Sequence, residues 1–556
     1  MVETHGGGFH YVPDQKQPPQ KIENTSWRFF ESLEDRGNKL ALVPDKDGHP
    51  APRLTTFDKL QKFLEQCKCN HPDLLSAQNL ADTFSQADSE KINYYSCLIP
   101  GNTSDREQPD EETLKALAEA MLDDSDPASE LPAAYTYFGQ FLAHDLTHMK
   151  KQENGNNETV WVNASNHALT FESLFGTLHA GGQSSAEWIN EAGACLGQNQ
   201  NIPTQIEPTF DLPRDIHNGQ PRCVDPRADS NLALAQMHVL LVRFHQKLAK
   251  ISEATEQDAK LETKRHIQAV VLTDYLPRLI PSDIYNSVLK EGRRVVAPDD
   301  AAEFLVPLEF AAAVFRFGHS MVRKVYSPWG LSWPIGAPDQ YPEESASLGT
   351  LLHYTSNGEI TKNHLEYYWG QFWRHWVDMK LVGKENSNVF AAPISTRINS
   401  DLGKIPKANF PHIKTDGETF NLPLQTLLRG SKFSLPSGQE VAEFLGEKQT
   451  LDVKAFLDKD PRFAEVASSS ILHEHTPLWF YTLAEAEGSP EGKLGSVAAR
   501  VVMETFHAAL DADHEGILRF MDNNANLDFK IRIPTQSETN SHITLTDIVK
   551  FVYGPQ

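Results

Sequence analysis

Three stretches of this chain combine chemically active side chains with surroundings that give them no obvious structural reason. The first is Tyr137-Phe-Gly-Gln140-Phe-Leu-Ala-His144-Asp145-Leu-Thr, an imidazole beside a carboxylate and four residues after an amide, in an apolar run. Polar groups in such a setting need partners or a purpose. An imidazole with an ordinary pKa of about 6.5 can take up and return a proton at neutral pH. His144 is therefore either a proton shuttle or a satisfied core histidine. The second stretch is Asp225-Pro-Arg227-Ala-Asp229-Ser230-Asn231, just ahead of an apolar-periodic segment. Asp229, Ser230 and Asn231 are all good helix N-caps, so an arginine at that junction can be directed rigidly into a pocket. The plainer alternative is a surface arginine paired with Asp225 or Asp229. The third is Ala313-Val-Phe-Arg316-Phe-Gly318-His319-Ser-Met. Gly318 removes a side chain next to the imidazole, which allows a flat ligand to approach. Arg316 lies three residues earlier, on the same helical face. The plainer alternative is a Phe-rich core helix with one snorkelling arginine.

Taken in this order, each in its own context, the three stretches resemble the distal-histidine, distal-arginine and proximal-histidine motifs of bacterial-type members of the animal haem peroxidase family, in the peroxidase–cyclooxygenase superfamily. Leu422-Pro-Leu-Gln-Thr426-Leu-Leu-Arg429-Gly430, followed by Leu435-Pro-Ser-Gly-Gln439, looks like the segment beneath the proximal histidine. Thr476-Pro-Leu-Trp479 and Leu494-Gly-Ser-Val-Ala-Ala-Arg500 are similar to C-terminal segments of bacterial members. The resemblance covers roughly residues 110–550. It implies that His144 shuttles the proton that splits peroxide, Gln140 lines the distal pocket and Arg227 stabilises the departing charge. It also implies that His319 binds the haem iron and Arg316 pairs with a propionate, with Thr426 and Arg429 in the cofactor-binding segment. Asp145, with Glu172 and Ser173, marks a possible calcium site.

The chain departs from the family pattern at four places. Relatives that attach haem through esters use an Asp and a Glu where Ala143 and Ser230 stand here. Neither can form an ester, so the resemblance implies a b-type haem held non-covalently. The asparagine that usually supports the proximal histidine is Thr426, whose hydroxyl can still accept one hydrogen bond. In the calcium loop Thr170 replaces a carboxylate, with Glu172 or Ser173 as possible compensation. Superfamily members that oxygenate fatty acids carry a radical-forming tyrosine at the position of Arg316.

The resemblance therefore implies a haem-dependent peroxidase. It would reduce hydrogen peroxide and oxidise a small organic or halide reductant through a ferryl species, as in a response to oxidative stress. The alternatives are a haem-dependent fatty-acid dioxygenase, for which Tyr135, Tyr137 and Tyr275 are available, and a haem-binding protein with little activity. A metal-dependent hydrolase built on His144 and His148 lacks the glutamate of a His-Glu-x-x-His motif and leaves Arg227 and His319 unexplained. His473, His475, His238 and His245 read as surface and core histidines.

Helices must position these groups. Leu114, Leu117 and Met121 share one face, and Leu234, Met237, Leu241, Phe244 and Leu248 step by three and four. Phe310, Val314, Phe317 and Met321 predict another one-faced helix, as does the stripe from Leu494 to Leu510. Alternating strand patterns are few. The expected fold is mainly α: a single large helical domain over 110–556 with long loops at about 181–230 and 327–347 and little β structure. Residues 1–109 form an N-terminal extension that precedes or wraps it, with a mobile start over 1–20 and a polar linker at 100–112.

With 556 residues, 40% of them hydrophobic, the chain can bury a large core. Its net charge of −24 argues against a nucleic-acid partner. No stretch approaches the roughly 18 apolar residues that would span a bilayer. Five sparse cysteines argue against a disulfide scaffold and suit a reducing compartment, and Cys67-Lys-Cys69 reads as ordinary thiols rather than a zinc site. The N-terminal Met-Val-Glu-Thr-His-Gly-Gly-Gly has neither the basic nor the apolar run of a secretion signal. That predicts a cytoplasmic protein, with leaderless secretion as the alternative.

Overall fold

The computed structural model describes residues 95–99, 106–153, 159–176, 223–252, 256–297, 304–327, 345–358, 389–409, 417–447, 451–522 and 543–553, with a few single positions between them. The Cys67–Cys69 pair, residues 1–20 and most of both long loops lie outside these residues. Among the described residues the fold is mainly helical. The longest β feature is the antiparallel hairpin Met149–Glu153 with Thr159–Asn163, and the remaining ladders are two residues long.

Helix α1 (Glu111–Met121) starts on Asp110, whose carboxylate accepts from the Thr113 amide, and buries Leu114, Leu117 and Met121 as the periodicity predicts. Glu111 and Glu112, at the end of the expected linker, already belong to its first turn. Helix α2 (Ala134–Leu146) carries Gln140, His144 and Asp145 and is apolar on most of its surface. Gly139 is required here. A Cβ at that position would lie 2.3 Å from the Tyr275 hydroxyl, so the missing side chain lets the two elements close. Helix α3 (Leu232–Ser252) begins where Asn231 accepts from the Leu234 amide. It packs against α2 and buries the whole predicted stripe from Leu234 to Leu248.

The segment around His319 differs from the expected continuous helix. A short helix α4 (Leu308–Ala312) breaks at Ala313, and a 3-10 turn, Val314–His319, follows. Phe310, Val314, Phe317 and Met321 are all buried, so the apolar period is real but the helix type is not. Residues three apart eclipse one another in a 3-10 turn. Arg316 and His319 therefore stand on one edge, more closely aligned than in an α-helix.

Three further helices close the proximal side. They are α5 (Leu422–Lys432), capped by Asn421, α6 (Leu478–Glu487) and α7 (Ser496–Asp511). Helix α7 is buried nearly all round, and both α6 and α7 contact the 3-10 turn, as does α2. The two segments that carry His144 and His319 thus adjoin. They are also stitched at one end, where Tyr137 donates to Tyr326 at 2.9 Å.

Residues 95–99, which the sequence assigns to the extension, run through this core. Tyr95 and Leu98 are buried, Ser96 pairs with the backbone of Val306 and Leu308, and the Leu98 amide donates to the buried Glu309 carboxylate. They brace the strand of chain that enters the His319 turn. Cys97 is disulfide-bonded, which departs from the reading of five reduced thiols, whereas Cys223 is a free, half-buried thiol. Among the described residues no helix is long and apolar enough to cross a membrane.

Candidate haem-binding site

His144, Gln140, Arg316, Gly318 and His319 are each only partly covered, while their neighbours Phe141, Leu142, Asp145, Phe315 and Phe317 are buried. Both imidazoles are nonetheless deep enough that burial dominates their protonation. Burial, helped by the nearby Arg227 charge, pushes the His144 pKa down to about 3. Burial, helped by Arg316 and Arg429, does the same to His319. Partial accessibility at such depth leaves room beside each of these side chains. A Cβ placed on Gly318 would meet nothing within 4 Å, so there is open space directly beside His319.

The tautomer of His319 follows from its neighbours. Thr426, on the first turns of α5, holds its hydroxyl 2.9 Å from the Leu422 carbonyl, which can only accept, so the hydroxyl proton goes there. The same oxygen lies 3.4 Å from His319 Nδ1 and must accept from it. Nδ1 then carries the proton, and Nε2 keeps a free lone pair, the state a metal ligand needs. The indole of Trp479 fixes the turn from behind. Its Nε1 donates to the Arg316 carbonyl at 3.0 Å, and its ring meets the His319 ring edge-on at 5.9 Å.

Arg316 and Arg429 are the unusual charges. Neither has a carboxylate partner among the described residues, and Arg316 Nε is sealed from solvent with no hydrogen bond. Burial lowers both pKa values. Arg429 lowers that of Arg316 further, and the buried Tyr95 partly offsets the effect on both. A buried, unpaired guanidinium costs several kcal/mol and persists where a ligand neutralises it. Two of them beside an open space and an available imidazole fit a planar, dianionic, metal-bearing cofactor. On this test the residues fit haem: Nε2 of His319 toward iron, the two guanidiniums toward the propionates.

The opposite side is built differently from the expected open arginine. Arg227 lies in a 3-10 turn, Pro226–Asp229, capped by Asp225. Its Nε and Nη2 donate to the Asp225 carboxylate at 2.6–3.0 Å, and its Nη1 and Nη2 reach the carbonyls of Thr147 and His144 at 2.7 Å. The guanidinium is thus charge-paired and grips the C-terminal end of α2, at the carbonyl of His144 itself. It pairs with Asp225 as in the plainer alternative, but half-buried rather than on the surface. The turn is anchored in its turn by the fully buried Arg214, bidentate to Asp229 and bonded to Asp211. Gln140 joins the same assembly through the Ser230 hydroxyl and the Asn231 amide. His144 Nδ1 is sealed without a partner, which leaves Nε2 to face the cavity.

Asp145 and Ser173 are brought together, and Glu172 is not. The Asp145 carboxylate accepts from the Phe171 amide, the Ser173 amide and the Ser173 hydroxyl at 2.9–3.1 Å. Glu172 turns to Asn166 instead. Burial outweighs these hydrogen bonds and raises the Asp145 pKa to about 7. This is a clamp on the loop behind α2, and among the described residues no group of three or more His, Cys, Asp or Glu could hold a metal ion. His238 closes it, with Nε2 on the Ser173 carbonyl. His148 lies near Arg227, and burial with that charge lowers its pKa to about 4. His245 bonds Thr263, and His473 bonds the Ala467 carbonyl. Asp225 and Trp479 are the residues that sequence reasoning passed over as functional. Asp225 was visible as a neighbour of Arg227, while Trp479, quoted only within Thr476-Pro-Leu-Trp479, lies 163 positions from Arg316, so nothing local marked its contact with the His319 turn.

A family description, animal haem peroxidase, matches residues 196–330, which include Arg227, Arg316 and His319. The chain is 21% identical over 333 residues to the peroxidasin homolog pxn-2 of Caenorhabditis elegans, covering 56% of this chain and 23% of that protein. It is 22% identical over 382 residues to a peroxidasin homolog of Caenorhabditis briggsae, covering 65% and 27%. It therefore spans about a quarter of the length of the curated relatives it matches. A fatty acid alpha-dioxygenase of Oryza sativa, solved with palmitic acid, superposes with a TM-score of 0.53 at 14% identity, over 93% of this chain and 88% of that one. One from Arabidopsis thaliana gives 0.52 at 12%, over 85% and 79%. These two likenesses establish the fold alone. Over residues 196–330 the chain is thus similar to animal haem peroxidases, a segment that carries Arg227, Arg316 and His319 but not His144.

Proposed function

We propose that this protein is a haem-dependent peroxidase that reduces hydrogen peroxide and oxidises a small organic or halide reductant, with b-type haem held non-covalently. The observation that carries this reading is the pairing of two deep, neutral imidazoles on adjoining segments with two unpaired guanidiniums. His319 Nε2 would hold the iron, and Arg316 and Arg429 would pair with the propionates. When bound, haem would supply the redox chemistry of O–O cleavage. His144 is uncharged across the neutral range, so its Nε2 can take a proton from peroxide at one oxygen and hand it to the departing one. Arg227 acts here by position. It pins the His144 carbonyl and shares its charge with Asp225, so the imidazole does not swing as the proton moves. Gln140 keeps the Ser230–Asn231 corner against the same wall. Ala143 and Ser230 offer no carboxylate for an ester bond.

The test is spectroscopic. The purified protein should show a Soret band that shifts with peroxide, and acid–acetone should extract the haem from the polypeptide. In His144→Ala the band should remain while its peroxide response slows by about 10²- to 10⁴-fold, the usual worth of a positioned acid–base. An unchanged response in His144→Ala would remove the proposed role of the imidazole. Oxygen uptake with a fatty acid in the absence of peroxide would favour the dioxygenase alternative instead.

A further inference from the structure

Trp479 is the aromatic side chain, among the described residues, whose ring meets His319. It is 2% exposed, and its N–H is held by the Arg316 carbonyl, so both its place and its orientation are set. It also lines a small cavity together with Thr426, Gly430, Ser431, His475 and Thr476. One oxidisable indole thus touches the proposed axial imidazole and also lines a partly polar cavity.

From this placement we infer that Trp479 is a one-electron relay between the cofactor site and that cavity. The inference rests on the peroxidase reading above. Reduction of peroxide needs two electrons and two protons, H2O2 + 2 e− + 2 H+ → 2 H2O. A bound haem would supply one electron and the Trp479 π system the other, which leaves an indole radical cation. The indole proton stays on Nε1, because the Arg316 carbonyl accepts a hydrogen bond but is too weak a base to take the proton. One small phenol or amine then returns an electron to the indole and a second returns one to the haem, and the two protons they release match the two consumed. The buried tyrosines are poorer candidates, since a phenol must shed its proton when it is oxidised. Tyr137 is bonded to another phenol, Tyr326. Tyr135 is bonded to an Asp274 carboxylate that already accepts from Arg278 and from the Leu545 amide. The competing route is the contiguous stack Tyr137–Tyr326–Trp376, with ring centroids 6.0 Å and 4.7 Å apart, which does not meet His319.

The experiment uses the haem-loaded full chain, mixed with hydrogen peroxide in the absence of a donor. Freeze-quench electron paramagnetic resonance and peptide mass spectrometry are the readouts. The wild type should give an indole radical and an oxygenated Trp479 peptide. Trp479→Phe should lose both while the Soret band remains, and Trp376→Phe should keep both. An unchanged radical in Trp479→Phe, or oxygenation confined to Tyr326 and Trp376, overturns the relay. Should Trp479→Phe not take up haem, fluorotryptophan incorporated into the wild type must alter the hyperfine pattern of the radical, and an unaltered pattern overturns the relay. Absence of any Soret band in the wild type sinks the peroxidase reading and the relay together, whereas a normal band without an indole radical sinks the relay alone.

Discussion

Removing the Thr426 hydroxyl should raise the reduction potential of the bound haem. The structure sets both the sign and the size. Thr426 gives its proton to Leu422 and accepts from His319 Nδ1 at 3.4 Å, a long bond. An acceptor on Nδ1–H draws the imidazole toward imidazolate, makes it a stronger donor and favours the oxidised metal. Thr426→Val leaves Nδ1–H buried with no acceptor, a loss of about 1–3 kcal/mol, and the long distance puts it near the lower end. About 1 kcal/mol corresponds to roughly 40 mV for a one-electron couple. Both oxidation states lose the bond and only the difference moves the potential, so Thr426→Val should raise it by at most roughly 40 mV. Thr426→Asn, with a better acceptor, should lower it. Spectroelectrochemical titration of the haem-loaded protein, followed at the Soret band, reads both. If the two variants match the wild type, or shift in the same direction, then Thr426 does not set the tautomer of His319 and the argument for a free Nε2 loses its support.

Arg316→Met should act in opposite directions on the empty and the loaded protein. Replacing a buried, unpaired cation by an apolar side chain is neutral or stabilising by about 1–4 kcal/mol, while loss of a charge-assisted bond should weaken haem binding by about 10- to 100-fold. Urea unfolding of the haem-free form and a haem titration measure the two effects, and a destabilised apoprotein with unaltered haem affinity would contradict the proposed cradle. The Asp225–Arg227 pair should leave an acid-sensitive signature. Burial opposes ionisation of Asp225, but the Arg227 hydrogen bonds and charge outweigh it and hold the pKa down to about 2. A depressed folded-state pKa contributes stability above the unfolded value, here about 2 kcal/mol, that disappears as pH falls from about 4 toward 2. The stability advantage of the wild type over Asp225→Asn should shrink over that window, and an advantage that stays constant there would argue against the pair.

Much of the site was legible in one dimension. Apolar residues three and four apart marked α1, α3 and α7, because a helix face repeats within a single turn of chain. His144, Arg227, Arg316 and His319 could be named from their immediate contexts, since an imidazole or guanidinium in apolar company needs a reason wherever the chain goes. The tertiary structure alone decided what those groups do. The break at Ala313 that turns the His319 segment into a 3-10 turn depends on α2, α6 and α7 packing around it. The proton on His319 is set by a hydroxyl 107 positions away, and the placement of its ring by an indole from α6. Arg227 had carboxylates on both sides in sequence, and only the folded chain shows that it takes Asp225 and the end of α2 while Arg214 takes Asp229. Local periodicity is a short-range property and can be read from residue types. Partner choice among several nearby charges is a competition between distances, and distances exist only once the chain has folded.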